Sequence, residues 1–249
     1  MNRPGDWIVP DWPAPARVRA RVTTRRGGVS TGPYASLNLG DHVGDEADSV
    51  AQNRVILRAA LPSGPVWLKQ VHSVAVAEAD VAVGVPEADA SVARRAGTVC
   101  AVLTADCLPL LLCDRQGTVV GAAHAGWRGL ADGVIEAAVA AMAAPADDLL
   151  AWLGPAIGPQ SFEVGDEVRA VFTAHHAAAA AAFVPHGPGK WLADLYALAR
   201  LRLAALGVEH VYGGGLCTYR DSERFYSYRR DGATGRMASL VWLEDKENG

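Results

Sequence analysis

The sequence predicts one domain of mixed α and β structure built on a mixed sheet, and three features carry that reading. Short, nearly continuous apolar runs at 98–103, 108–113 and 119–124 suit strands buried on both faces. Segments with the helical period stand between and after such runs. No internal repeat and no linker-like stretch divides the chain. Its 249 residues can bury a sizeable core. With 50% apolar and 20% charged residues, a folded globule is expected rather than disorder.

Residues 1–16 carry Pro4, Pro10, Pro13 and Pro15 and read as an irregular arm, leaving 17–249 as the catalytic domain. Arg17, Arg19 and Arg21 alternate with Val18, Ala20 and Val22, the pattern of a half-buried strand that Gly27-Gly28 closes. The polar loop through Ser30, Gly32, Ser36, Asn38 and Gly40 is long for a connector and is expected to line a site. Residues 46–60 read as a helix with Val50, Leu57 and Leu61 on one face. Residues 67–76 read as extended, with Leu68, Gln70, His72, Val74 and Val76 on one side. The run at 119–124 leads through a glycine-bearing turn at 125–129 into a helix with Ile135, Val139 and Met142 in register.

Further on, 152–157 reads as a strand broken by Gly154-Pro155 and Gly158-Pro159. The alanine-rich segment 167–183 reads as helix, because alanine is the best helix former. Asp194 opens another helix, with Leu195, Leu198 and Ala205 inward and Gly207 as its stop. Strands are expected at 208–212 and 237–243.

Net charge is −4, from 23 basic and 27 acidic residues, which argues against nucleic acid or an anionic membrane as partner. Four cysteines (Cys100, Cys107, Cys113, Cys217) in so long a chain do not make a disulfide scaffold. No run of eighteen apolar residues exists, and the opening residues lack the apolar core of a signal peptide. A cytoplasmic protein with reduced thiols is the expectation.

Three positions stand out chemically: His72, Cys107 and His124. Their separations, 35 and 17 residues, are not those of a zinc finger and suit side chains delivered by neighbouring strands. One thiolate with two imidazoles is a coherent ligand set for Zn²⁺ with a fourth position open. It is equally coherent as a nucleophile with its base. The plain alternative is a small core cysteine, which describes Cys100 and Cys113 well. Cys107 differs because Asp106 and Pro109 place it where a strand begins. The turn after His124, with Arg128 at a helix start, also suits an anion such as phosphate. Among the other histidines, His175 and His176 fall in the alanine-rich helix, His186 precedes a turn, and His210 sits in an apolar strand. The segment 217–232, dense in aromatics and arginine, either stacks a base or sugar or closes the fold as a packed loop.

Together the segments Lys69-Gln70-Val71-His72-Ser73, Ala105-Asp106-Cys107, His124-Ala125-Gly126-Trp127-Arg128-Gly129, Gly154-Pro155-Ala156-Ile157-Gly158-Pro159, Phe162-Glu163-Val164-Gly165 and Phe225-Tyr226-Ser227-Tyr228-Arg229-Arg230-Asp231 resemble the YfiH family. Its members are also called laccase-domain or multicopper polyphenol oxidase-like proteins and peptidoglycan editing factor. Ser36-Leu37-Asn38-Leu39-Gly40 and Gln52-Asn53-Arg54 share the likeness, which runs from about residue 20 to the C-terminus.

The resemblance implies an α+β fold with mixed sheets packed between helices. It implies His72, Cys107 and His124 as metal-site and catalytic residues, with zinc the usual assignment. The implied activity is phosphorolysis of adenosine, inosine and methylthioadenosine, with adenosine deamination as a second reaction. Purine nucleoside and phosphate are the implied partners. Older family names imply copper-dependent phenol oxidation, and a cell-wall role would make Cys107 the nucleophile of a precursor hydrolase.

A multicopper centre would consume most of the seven histidines, several of which stand in poor positions to converge. A blue-copper site usually has an axial methionine, yet Met1, Met142 and Met237 lie far from the ligand motifs in sequence. Purine chemistry fits better. Deamination needs an activated water at C6 of adenine. Phosphorolysis needs phosphate held against the anomeric carbon, for which Arg54, Arg128 and Arg229 are the candidates, because the guanidinium fork matches its oxygens. Asn38 is a further candidate substrate contact, and Asp106 or Glu163 a candidate proton carrier.

Overall fold

The structure, a computed structural model, describes residues 6–245; residues 1–5 of the predicted arm, Pro4 among them, lie outside the described residues. Residues 6–16 run irregularly along the first strand, with one bridge between Ile8 and Val22.

Two sheets form the centre. The smaller has the order β1 (Val18–Val22), β13 (Met237–Leu243), β5 (Val99–Thr104), β2 (Pro65–Val66), antiparallel except for β2 beside β5. The larger has the order β12 (His210–Gly213), β8 (Leu149–Leu153), β6 (Leu108–Asp114), β7 (Val120–Ala125), β4 (Ala90–Ala93), β3 (Val76–Glu78). Its two outer pairs are parallel and its inner pairs antiparallel. A third, antiparallel sheet joins β10 (Phe183–Pro185), β11 (Lys190–Ala193) and β9 (Glu163–Gly165).

The period-2 alternation of the strands sorts their side chains into layers. Val22, Cys100, Val102 and Val241 from the four-stranded sheet meet Leu111, Cys113, Val120 and Trp152 from the six-stranded one. On the outer face of the smaller sheet, Val99, Leu103, Leu240 and Trp242 pack on Leu37, Leu39 and Leu57, the last from α1 (Ala47–Arg58). On the outer face of the larger, Leu108, Leu110 and Leu112 pack on three helices. These helices, which share one continuous core with that face, are α3 (Val134–Met142), α4 (Asp166–His175) and α5 (Leu195–Ala205). Both sheets are therefore covered on both faces, which is why β5 and β6 read as continuous apolar runs. This is the α+β architecture with mixed sheets between helices that the resemblance implied.

Most strands and helices lie where the sequence places them, and the departures have local causes. The expected single helix after residue 129 is two, α2 (Trp127–Asp132) and α3, because Gly133 at φ 106° ends one and starts the other. The alanine-rich helix stops at His175; His176 is extended and its ring accepts from the Ala178 N–H to open a separate 3-10 turn at Ala177–Ala182. Asp194 caps α5 through the Ala197 N–H as expected, but Ala205 is exposed rather than inward. The strand expected at 152–157 starts earlier and ends at Leu153. Gly154 there lies so close to Pro109 that a Cβ would come within 2.6 Å of its ring. Strand β4 escaped notice because Ala90-Ser91-Val92-Ala93 is short and built of small residues. No helix among the described residues is long and apolar enough to cross a membrane.

The polar loop at 28–45 is held by Asn53 of α1, which is fully buried. Its Oδ1 accepts from the Val29 N–H at 2.8 Å, and its Nδ2 donates to Ser30 Oγ, Ser36 O and Asn38 O. Asn53→Ala strands several of these buried groups and is expected to lower stability by about 2 kcal/mol or more. Urea unfolding checks this; an unchanged midpoint would contradict it.

Candidate metal and active site

Three connections deliver the predicted side chains to one end of the six-stranded sheet. The pairing of β6 with β7 sets Leu108 against Ala125, so Cys107, one residue earlier, comes beside Gly126. The pairing of β4 with β7 sets Ala90 against Ala123, so Asp89 comes beside His124. His72 arrives from the segment joining β2 to β3, for which the sequence predicts an extended strand. The segment is instead a loop, with His72 itself at φ 62°.

The cause of that loop is Asp89, which is fully buried. Its Oδ2 accepts from the backbone N–H groups of Val71 (3.1 Å) and Ser73 (2.6 Å) and from Ser73 Oγ (2.9 Å). Its Oδ1 accepts from the His72 N–H at 3.0 Å and lies 2.8 Å from His124 Nδ1. Gln70 adds a second anchor, since its side-chain amide pairs with both the N–H and the carbonyl of Leu103. Neither anchor has a local sequence signature.

His72, Cys107 and His124 meet, with one ligand atom from each lying within 4.8 Å of the others. Cys107 Sγ is 3.8 Å from His72 Nε2. The two imidazoles are 4.8 Å apart between centroids and inclined at 67°. Among the described residues this is the group of three or more His, Cys, Asp or Glu able to hold a metal ion. The edge of a tetrahedron around zinc is about 3.3–3.8 Å for its usual bond lengths, so the sulfur–nitrogen spacing needs little adjustment. Asp89 behind His124 fixes that ring's orientation and leaves Nε2 as its free nitrogen, the usual second support of a metal-bound imidazole.

Electrostatics favour a thiolate here. Burial opposes the charge on Cys107, but His124 and then His72 outweigh it and bring the thiol down to about 6. Burial likewise opposes charge on His124, and Cys107 with Asp89 outweighs it and raises the imidazole. Asp89 is also held far below the carboxylate range against its own burial, by His124 and the backbone N–H groups it accepts. By contrast burial pushes Cys100 and Cys113 up to about 12.

The remaining predicted residues are placed less uniformly. Asp106 is at φ 87° and nearly buried. It accepts from Thr218 Oγ1 (2.6 Å), Ser227 Oγ (3.0 Å) and the Arg229 N–H (2.7 Å), so it fastens the aromatic 217–232 segment beside Cys107 instead of standing free to carry protons. The Glu163 carboxylate faces His186 and Lys190 at 3.7 Å. Arg54 is committed to Leu39 O and Asp41 and lies over Trp67. Arg229 donates to Glu163 O and lies over Phe162. Arg128, exposed at the start of α2, lies over Trp127 and makes no hydrogen bond among the described residues. Asn38 is fully buried, accepting from the Gly40 and Arg236 N–H groups and donating to Gly40 O and Asp45. Its side chain shapes the loop and does not face a cleft.

The sequence reading missed Asp89. The one signal it offered was an acid opening a run of small residues at 89–93. It also missed why Gly126 is a glycine: a Cβ there would sit 2.7 Å from the His72 ring and 3.0 Å from Cys107 Sγ.

The family model described as multi-copper polyphenol oxidoreductase laccase matches residues 19–244. The chain belongs to this family. A protein named purine nucleoside phosphorylase from Pseudomonas aeruginosa is 60% identical over 240 residues, covering 96% of this chain and 99% of the relative. Purine nucleoside phosphorylase YfiH of Escherichia coli is 58% identical, covering 95% and 98%. The crystal structure of a Neisseria meningitidis protein, 55% identical, superposes with a TM-score of 0.93 over 96% of this chain and 99% of that one.

In the metal-free protein, iodoacetamide at neutral pH is expected to label Cys107 while Cys100 and Cys113 stay unmodified, because Cys107 is partly exposed and favoured as a thiolate whereas Cys100 and Cys113 are buried and pushed up to about 12. Its rate should fall as pH drops through about 6, where the thiolate takes up its proton. Peptide mapping by mass spectrometry reads this; preferential labelling of Cys100 or Cys113 would refute the assignment.

Proposed function

We propose that the chain is a cytoplasmic, zinc-dependent purine nucleoside phosphorylase acting on adenosine, inosine and methylthioadenosine, with adenosine deamination as a second reaction. The observation that carries the reading is the convergence of Cys107, His72 and His124 with Asp89 bonded behind them, in a chain 60% identical to a relative named for this activity. One thiolate and two neutral imidazoles suit zinc, and three protein ligands leave one position for substrate or water. When bound, zinc supplies Lewis acidity to the reacting nucleoside.

The residues of the chain supply the rest. Asp89 keeps the His124 proton on Nδ1, and its acceptance of the His72 and Ser73 N–H groups holds the loop in place. Gly126 keeps the space in front of the ligands clear. In phosphorolysis a phosphate oxygen attacks the anomeric carbon. The glycosidic electron pair leaves with the purine, which takes up a proton. Arg128, exposed at the start of α2 with free donors, offers the phosphate one contact and need not be its only one. In deamination water adds at C6 and ammonia leaves.

Copper oxidation gains little support, because the other described histidines are engaged elsewhere: His42 with Asp41, His175 with Arg202, His176 with the Ala178 N–H, His186 with Glu163 and His210 with Arg115. A copper ion at the same three ligands is compatible with their softness. The Cys107 thiolate also suits a precursor hydrolase, which would differ in surviving chelation.

Purified protein incubated with inosine and phosphate is expected to yield hypoxanthine and ribose 1-phosphate, to stop when zinc is chelated, and to lose activity on Cys107→Ala. No hypoxanthine from the wild type, or an unimpaired Cys107→Ala, would sink the reading. Asp89→Asn is expected to weaken zinc affinity by about 10–100-fold. Zinc titration of the apoprotein measures that, and an unchanged affinity would contradict the role given to Asp89.

A further inference from the structure

The strongest unassigned feature near the ligands is Arg236, which the sequence reading passed over. Pairing of β13 with β5 sets Met237 against Thr104. Arg236, one residue before, therefore comes beside the start of the Ala105-Asp106-Cys107 turn. Its backbone N–H is fixed at 2.9 Å by Asn38 Oδ1. Its stem runs under Gly40, where a Cβ would come within 2.8 Å of Arg236 Cγ, so the loop closes over the side chain only because residue 40 is a glycine.

The guanidinium is half-buried and has no carboxylate within ion-pair distance among the described residues. The similarly enclosed Arg54, Arg202 and Arg230 pair with Asp41, Glu136 and Asp231. Only Nη1 of Arg236 is engaged, with the carbonyls of Thr234 and Gly235 at 3.0 Å. Nε and Nη2, one edge of the fork, have no partner among the described residues. Burial lowers its pKa from the usual value, and the acidic groups acting against this are Cys107 first, then Asp106, Tyr228 and Tyr34. Two acids of the surrounding loops are already committed elsewhere: Asp106 is saturated by three donors and Asp45 is taken by Ser30 and Asn38. A partly desolvated cation without a counter-ion is costly unless an anion from solution completes it.

We propose that Arg236 binds the inorganic phosphate co-substrate through its free Nε and Nη2 edge, with Asn38 and Gly40 positioning it. Planar, two-toothed capture of a phosphoryl group is the task for which arginine is better suited than lysine. The inference rests on the phosphorolysis reading above. It reassigns Asn38 from substrate contact to support of the residue that makes the contact.

The test uses the zinc-loaded full chain and the variants Arg236→Lys and Arg236→Gln. In phosphorolysis of inosine, Arg236→Gln is expected to raise the KM for phosphate about tenfold or more, the worth of a charged hydrogen bond. Arg236→Lys should fall between it and the wild type, and the KM for inosine should change little. Independently of turnover, inorganic phosphate should raise the melting temperature of the wild type and fail to raise that of Arg236→Gln. A phosphate KM within twofold of wild type in both variants, or equal stabilisation by phosphate in all three proteins, overturns the inference. If Arg236→Gln does not fold, Arg236→Lys decides by the same two readings. A wild type that makes no hypoxanthine refutes the phosphorylase reading, and loss of phosphate stabilisation in the variants would then still identify Arg236 as the anion site.

Discussion

The site depends on one buried carboxylate. Asp89 is removed from water, yet five groups bond to it: three consecutive backbone N–H groups, the Ser73 hydroxyl and the His124 imidazole. Removing one partner of a buried charge network typically costs about 3–5 kcal/mol, so the arrangement is over-determined. That surplus lets His72 adopt a left-handed backbone conformation that a histidine rarely takes. The same carboxylate then sets the direction of the His124 ring. Two of the three candidate ligands are thus placed by a residue that is not a ligand.

Asp106 does parallel work on the other side. It too has a positive φ, and it too is saturated by donors from distant parts of the chain, at Thr218, Ser227 and Arg229. Cys107 is therefore presented from a turn locked at its preceding residue. The aromatic 217–232 segment is held beside Cys107 by the same carboxylate. The two acids share a logic: each gathers several hydrogen-bond donors, orients a neighbour, and leaves the chemistry to sulfur and imidazole.

Around this centre the sheets act as a rigid frame. The α-helical layer on one side and α1 with its loop on the other bury both sheets on both faces. Strand register then fixes which residues sit together at the sheet end: Cys107 beside Gly126, Asp89 beside His124, Arg236 beside the Asp106 turn. A slip of one residue would turn every side chain to the opposite face. The loop at 28–45, tied down by Asn53, brings Asn38 and Gly40 onto Arg236.

The sequence by itself determined the strands with continuous apolar runs, α1, the start of α5, and the three residues His72, Cys107 and His124, because burial and helical period are local patterns and a thiol among imidazoles is visible by type. It misjudged the 67–76 segment, because nothing near His72 in the chain announces that Asp89 will collect its N–H groups. It split no helix at Gly133 or His176, because a left-handed glycine and a ring acting as a cap are decided by what the chain must pack against. Only the tertiary structure separated Arg54, already bonded to Asp41, from Arg236, which has an open edge. Pairing is a matter of distances across the fold, and those do not exist until the sheets bring residues far apart in the chain to the same end.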